Sequence, residues 1–262
     1  MCRWLAYSGT PILLGQMIAQ PVNSLIHQSH DAEEAKSAIN ADGFGIGWYG
    51  ELPRPGLFRD VLPAWNDNNL LNVCEQVRSR LFFGHVRAST GSAINRTNCH
   101  PFRYKNWLFM HNGQIGGFQK LRRDLTLAIK PELFSHLEGT TDSEIFFLLA
   151  LGHGLQQNPG LAFQKTISHI LELMRSHAIA DPLRVTAAAS DGDSIYALRY
   201  SSDRHPPSLY YACENNDQAE RSCIVLSEPL DQTTDHWVEV PPSSLLTTSH
   251  GQVQVTPLEL AN

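Results

Sequence analysis

Apolar positions along this chain change rhythm twice. As far as residue 111 they come in short runs, at 4–8, 44–49, 81–86 and 107–111, rich in aromatic and aliphatic side chains and broken by Gly- and Pro-containing loops. Such runs read as strands. Residues 69–79 read as a helix between two of them, 40–50 as a hairpin, and the proline-rich 52–63 as a surface loop.

From Thr141 the period lengthens to that of a helix. Thr141 stands three residues before Glu144 at the head of an apolar run reaching Leu151, the spacing of a capping box. Phe163, Ile167, Ile170, Leu171 and Met174 recur at helical spacing within 161–176, so a second helix has one apolar face. Pro159-Gly160 separates the two. Beyond residue 183 the short runs return, at 184–189, 194–200, 208–212, 222–226 and 252–256. Ser190-Asp191-Gly192-Asp193 and His205-Pro206-Pro207 mark turns between them. Strands, two helices and strands again predict an α+β fold with helices packed over sheet. No shift of composition and no long linker divides the chain, so residues 1–262 are expected to form one domain.

Composition removes several classes of function. Hydrophobic residues make up 42% of the 262 positions and charged residues 18%, an ordinary globular balance. A net charge of −6 leaves no basic excess to meet phosphates, which argues against nonspecific nucleic-acid binding. No apolar stretch approaches the roughly 18 residues of a membrane span. The N-terminus lacks the basic and apolar regions of a signal peptide. Five cysteines, Cys2, Cys74, Cys99, Cys213 and Cys223, are scattered and form no C-x-x-C pair. That usage suits a reducing cytoplasm better than a disulfide framework or a structural zinc site, and the expected location is cytoplasmic.

Cys2 is the first candidate for chemistry. Loss of Met1 would leave it a free α-amine, whose reference pKa of about 7.7–8.0 lies just below the ~8.5 of a free thiol. Base and nucleophile then reside on one residue. The competing reading is a small apolar residue entering a buried strand. Between Asn40 and Tyr49, glycines at 43, 45 and 47 alternate along a strand, which lets a backbone or a ligand approach closely. Their spacing is not that of a dinucleotide fingerprint. Arg87, ending Gly84-His85-Val86-Arg87, suits capture of a carboxylate or, more blandly, a surface ion pair.

In His111-Asn112-Gly113 the Asn112 amide and the Gly113 N–H suit an oxyanion hole, while Asn-Gly is also a common turn. Asp142 either complements the dipole of the helix it opens or holds a substrate ammonium group. Cys99-His100 and His27-x-x-His30 lack the partners a metal site needs, so neither a metal nor a cofactor is expected.

Taken in order, Met1-Cys2, Asn40-Ala41-Asp42-Gly43-x-Gly45, Gly84-His85-x-Arg87, His100-Pro101, His111-Asn112-Gly113 and Thr141-Asp142-Ser143-Glu144 resemble the class II glutamine amidotransferases. These are the cysteine branch of the N-terminal nucleophile hydrolases. Ser227-Glu228-Pro229-Leu230-Asp231 and residues 237–241 look like the C-terminal part of the stand-alone members, the ergothioneine-pathway amidohydrolase among them.

The resemblance implies a four-layer αββα sandwich. It implies Cys2 as nucleophile and, through its amine, as general base, with Asn112 and Gly113 as the oxyanion hole. Arg87 and Asp142 would hold the α-carboxylate and α-amine of a glutamine or γ-glutamyl group, and His100 would line the pocket. The implied chemistry is amide cleavage through a γ-glutamyl thioester.

Two departures bear on that expectation. No second domain that would consume ammonia is read in the chain. Either a separate synthase subunit takes the ammonia, or the protein is a plain amidohydrolase on a γ-glutamyl amide, such as a γ-glutamyl thiol metabolite in an ergothioneine-like pathway. Ala88 also stands where the family often has tryptophan. A reading of a different class is a non-catalytic protein that binds γ-glutamyl ligands; intact Cys2, Asn112 and Gly113 argue against it, because binding alone does not need them.

Overall fold

The computed structural model describes residues 2–32, 39–89, 93–215, 221–233 and 236–260. Strand β1 (Arg3–Leu13) is followed by two short helices, α1 (Gly15–Ile18) and α2 (Leu25–His30). β2 (Phe44–Trp48), β3 (Gly56–Asp60), α3 (Asn68–Gln76) and β4 (Arg78–Val86) come next, then β5 (Phe102–Tyr104) and β6 (Trp107–Gln114). Helices α4 (Phe118–Leu127), α5 (Pro131–Phe134), α6 (Asp142–Gly152) and α7 (Pro159–Ser176) form the middle of the chain. After them run β7 (Arg184–Ser190), β8 (Ser194–Ser201), β9 (Tyr210–Asn215), β10 (Arg221–Leu226), β11 (Val238–Glu239), β12 (Ser244–Ser249) and β13 (Gln252–Pro257).

These strands make two antiparallel sheets, ordered β11-β9-β10-β1-β4-β2-β3 and β13-β12-β8-β7-β6-β5. β4 shows why they stack. Leu81 and Phe83 point between the sheets, in a cluster with Trp4, Leu108, Met110 and Ala188. Phe82 and Val86 point the other way, packing with Leu5, Leu14, Ile18 and Leu70 beneath α1 and α3. A strand whose alternate residues are apolar on both faces has to be covered on both.

The second sheet is covered likewise. Phe109, Val185, Ala187 and Leu198 leave the inter-sheet layer and meet α6 and α7. Ile145 to Leu151 of α6 are all buried, because that helix lies within the apolar layer shared with the sheet and α7. A helix apolar all round belongs in such a position. The order helices, sheet, sheet, helices is the αββα sandwich that the resemblance implied.

Several boundaries differ from the sequence reading. The segment expected as a surface loop holds β3, an edge strand paired with β2, so the hairpin joins 44–48 to 56–60 rather than closing within 40–50. The helix expected over 69–79 starts and ends earlier: Asp67 caps its N-terminus by accepting from the Leu70 N–H at 2.8 Å, and it stops at Gln76 because residues 78–79 already belong to β4. Pro159 opens α7 rather than separating two helices, with Asn158 as its cap.

The cysteine reading is corrected at one pair. Cys213 and Cys223 face each other across β9 and β10 and form a disulfide, with Cα atoms 4.2 Å apart. Cys2, Cys74 and Cys99 are free thiols. Among the described residues no helix is long and apolar enough to cross a membrane.

Candidate active site

Cys2 sits just ahead of β1, at one end of the gap between the sheets. Strand alternation puts it on the face of Trp4 and Ala6, which are inter-sheet residues. Its Sγ accepts a hydrogen bond from the Ala88 N–H at 3.3 Å and lies 3.5 Å from the Ala88 carbonyl. Desolvation around the sulfur raises its pKa above that of a free thiol, against the opposing pull of the Ala88 contact and of the Arg87 and Arg3 charges. At neutral pH the resting group is therefore a thiol that needs a base.

The turn that presents Ala88 is held by Asp42. The Asp42 carboxylate accepts from the Ser89 N–H at 2.7 Å, and the Asp42 N–H donates to the Arg87 carbonyl at 3.0 Å. The Arg87 N–H donates in turn to the Gly43 carbonyl. Gly43 has φ +111°, and a side chain there would meet the Cys99 sulfur. The Arg87 side chain is buried; its guanidinium donates to the Asp42 carbonyl at 3.1 Å, to Ser89 Oγ at 3.3 Å and to the Ala93 carbonyl at 3.3 Å. It is not a surface ion pair. It is aimed by backbone carbonyls beside the cysteine.

The glycines of β2 do what their alternation suggested. Gly45 and Gly47 face the second sheet, and a Cβ on Gly45 would fall 2.1 Å from the His100 carbonyl oxygen. The close approach is of backbone, and it brings His100 against the first sheet, where its ring stacks on His85 at 4.2 Å between centroids. Both rings are buried, and the His100 nitrogens have no hydrogen-bond partner among the described residues. Burial, with the neighbouring His85, His111 and Arg87 adding, holds His100 well below the usual histidine range. Burial likewise pushes His85 down to about 3. Next in sequence, Cys99 is raised to about 11 by burial and is inert as a nucleophile.

Asn112 and Gly113 lie inside β6, paired with Thr186 and Val185 of β7, so Asn-Gly here is strand and not turn. Leu108 and Met110 face the inter-sheet layer, and the period of two sends Asn112 the same way. Its side chain is buried and the Nδ2 group has no partner among the described residues. A buried amide donor left unpaired costs stability and marks a place where something else is to be bound. Gly113 has φ +149°, and a Cβ would lie 1.9 Å from the Arg184 carbonyl oxygen, so only glycine fits.

Asp142 is joined to the same strand end. Its carboxylate accepts from the Ile115 N–H at 2.9 Å and from the Ser143 N–H at 2.8 Å, while Ser143 Oγ lies 2.8 Å from Nδ1 of His111. Thr141 caps α6 as the spacing predicted, accepting from the Glu144 N–H at 3.2 Å. Glu144 does not return to Thr141; its carboxylate accepts from the Glu138 and Gly139 N–H groups and fixes the approach to the helix.

Cys2, Arg87 and His100 thus come from the first sheet or against it, and Asn112, Gly113 and Asp142 from the second sheet and α6. No hydrogen bond among the described residues joins Asn112 or Asp142 directly to Cys2. Sequence reading missed the Ala88 N–H, which carries no side-chain signal, and the bracing role of Asp42, for which its place before Gly43 was a usable clue.

Two stacked antiparallel sheets between helical layers form the αββα architecture of the N-terminal nucleophile fold, with Cys2 and the Asn112 amide facing the gap between the sheets. The sequence model for class-II glutamine amidotransferases matches residues 11–260, and the chain belongs to that family. It is 33% identical to the probable glutamine amidotransferase DUG3 of Saccharomyces cerevisiae, covering 98% of this chain and 84% of that protein. It is 28% identical to the gamma-glutamyl-hercynylcysteine sulfoxide hydrolase of Mycolicibacterium smegmatis, over 98% and 100% of the two chains. A solved glutamine aminotransferase class-II domain protein from Silicibacter pomeroyi superposes with a TM-score of 0.76 at 38% identity, covering 98% of this chain and 99% of that one.

Proposed function

We propose that this chain hydrolyses the side-chain amide of glutamine or of a γ-glutamyl compound, with Cys2 as nucleophile once Met1 has been removed. The observation that carries the reading is the Cys2 sulfur on the Ala88 N–H, in a gap that the unpaired Asn112 amide also faces. The Cys2 α-amine takes the thiol proton, and the sulfur attacks the γ-carbonyl carbon. Negative charge develops on the carbonyl oxygen, where the Asn112 Nδ2–H and the Gly113 N–H stabilise it. The C–N bond breaks as the ammonium of Cys2 returns its proton to the leaving nitrogen. Water then attacks the thioester, again with the amine as base, releasing the γ-carboxylate and the thiol.

Arg87 is assigned the substrate α-carboxylate and Asp142 its α-ammonium, with His100 as a neutral wall of the pocket. Supporting Asp142 is the second acceptor site that Oδ2 retains beside its contact with the Ile115 N–H, whereas Oδ1 already takes the Ser143 N–H and Oγ. A substrate carboxylate at Arg87 would compete with the carbonyls that now aim it.

The test is intact-mass analysis after treatment with diazo-oxo-norleucine. The reading expects protein lacking Met1, labelled once on Cys2, and no label in Cys2→Ala. Active, labelled protein that retains Met1 would defeat the amine-base step. The similarity to a gamma-glutamyl-hercynylcysteine sulfoxide hydrolase supports a γ-glutamyl amide larger than glutamine as substrate, and that to a probable glutamine amidotransferase supports glutamine itself. Comparing kcat/KM on glutamine with that on γ-glutamyl amides decides between them. Release of ammonia from glutamine without any added protein would speak against dependence on a separate synthase subunit. A cytoplasmic location belongs to the same reading; the free thiols at positions 2, 74 and 99 support it, and the Cys213–Cys223 disulfide counts against it.

A further inference from the structure

We propose that Glu228, acting through Arg3, is a positioning residue for Cys2. The proposal rests on the amidase reading above and adds a part to its machinery. The segment Ser227-Glu228-Pro229-Leu230 follows β10 directly and clamps the two residues behind the cysteine. The Trp4 N–H donates to Ser227 Oγ at 2.9 Å, and the Ser227 N–H donates to the Trp4 carbonyl at 3.0 Å. Glu228 Oε2 lies 2.8 Å from Arg3 Nε, with the two side chains 2% and 0% exposed. Arg3 Nη1 then donates to the carbonyl of Cys2 at 3.3 Å.

Glu228 is itself fixed. Asn23 Nδ2 donates to its carboxylate at 3.2 Å and to the Pro229 carbonyl at 2.7 Å. Gln28 Nε2 reaches the Glu228 carbonyl at 3.3 Å and that of Asn23 at 2.9 Å.

A fully buried ion pair is a costly way to fill space, because both charges lose their water; two apolar side chains of similar volume would fill it without that penalty. What apolar residues cannot supply is a directed donor on the Cys2 carbonyl. With Met1 removed, Cys2 is covalently held through that carbonyl alone, and turning its peptide plane swings the Cα, the amine and the thiol together. The Glu228–Arg3 pair sets that plane, and so holds Sγ against the Ala88 N–H and toward the face of Asn112.

The experiment uses full-length Glu228→Gln, the paired Arg3→Met/Glu228→Leu variant, and Arg3→Lys. Turnover of L-glutamine and of γ-glutamyl-p-nitroanilide is measured per folded molecule, with folding followed by near-UV circular dichroism. Lysine keeps the charge opposite Glu228 but is too short of donors in the right plane to hold carboxylate and carbonyl together. All three are expected to lose about tenfold or more in kcat, with KM within about twofold. Alkylation of Cys2 by iodoacetamide is expected to slow in parallel. A folded paired variant, or failing that a folded Arg3→Lys, with wild-type kcat and alkylation rate would overturn the proposal. Wild-type protein that turns over neither substrate and resists diazo-oxo-norleucine would instead overturn the amidase reading. The clamp then stands or falls on whether the variants change the rate at which iodoacetamide reaches Cys2.

Discussion

The stacked histidines between the sheets should make this protein acid-sensitive in a way that can be traced to one residue. His85 is 1% exposed and pressed against the His100 ring, and its folded pKa is pushed down to about 3, chiefly by burial. In the unfolded chain it titrates near 6.5. Between those values the unfolded chain binds a proton that the folded chain refuses, so stability is present above the unfolded value and is lost as pH falls.

Each pH unit in that window is worth about 1.4 kcal/mol, so the drop from pH 7 to pH 4.5 costs about 2.5 kcal/mol from His85 alone. His100 adds loss in the same direction. The assay is urea unfolding at several pH values for wild type and His85→Phe, which keeps an aromatic ring against His100 and removes the titration. The wild-type curve should fall more steeply by about 2.5 kcal/mol over that range. Parallel curves for the two proteins would refute the reasoning, because they would mean that His85 takes up its proton as readily in the fold as out of it.

Three further outcomes follow from the site. Asn112→Ala should lower kcat on glutamine or a γ-glutamyl amide by about 100- to 1,000-fold, equivalent to about 2.7–4 kcal/mol, while KM moves little; steady-state kinetics decides it. Gly113→Ala should destabilise the fold by about 2 kcal/mol or more, read from urea midpoints, because its Cβ would press on the Arg184 carbonyl across the β6–β7 pair. Thr141→Ala should cost about 1 kcal/mol of stability through loss of the α6 cap, measured the same way.

What could be read from sequence was what is local. The β2 glycines announced a close approach because a strand tolerates glycine poorly without a reason, and the approach proved to be the His100 carbonyl. The face of Asn112 follows from the period of two that places Leu108 and Met110. β3 was hidden because an edge strand that meets few apolar neighbours needs little hydrophobic patterning, and Gly56 and the prolines before it read as loop. The Cys213–Cys223 pair escaped because only the β9–β10 register sets the two cysteines opposite one another, and spacing along the chain carries no such signal.

The residues around the thiol divide the same way. Cys2, Arg87, Asn112 and Asp142 were nameable because their side chains are the groups to which the proposed mechanism assigns the chemistry. The groups that aim them are a backbone N–H at Ala88, a carboxylate at Asp42 whose partner is another backbone N–H, and a buried pair joining Arg3 to Glu228. None of those carries a reactive signature, yet under the proposed mechanism, with Met1 removed, a nucleophile at the start of a strand would have no preceding residue to hold it. Its position has to be supplied by contacts from elsewhere in the fold, and the sequence records that need as nothing more distinctive than an arginine after a cysteine and a glutamate before a proline.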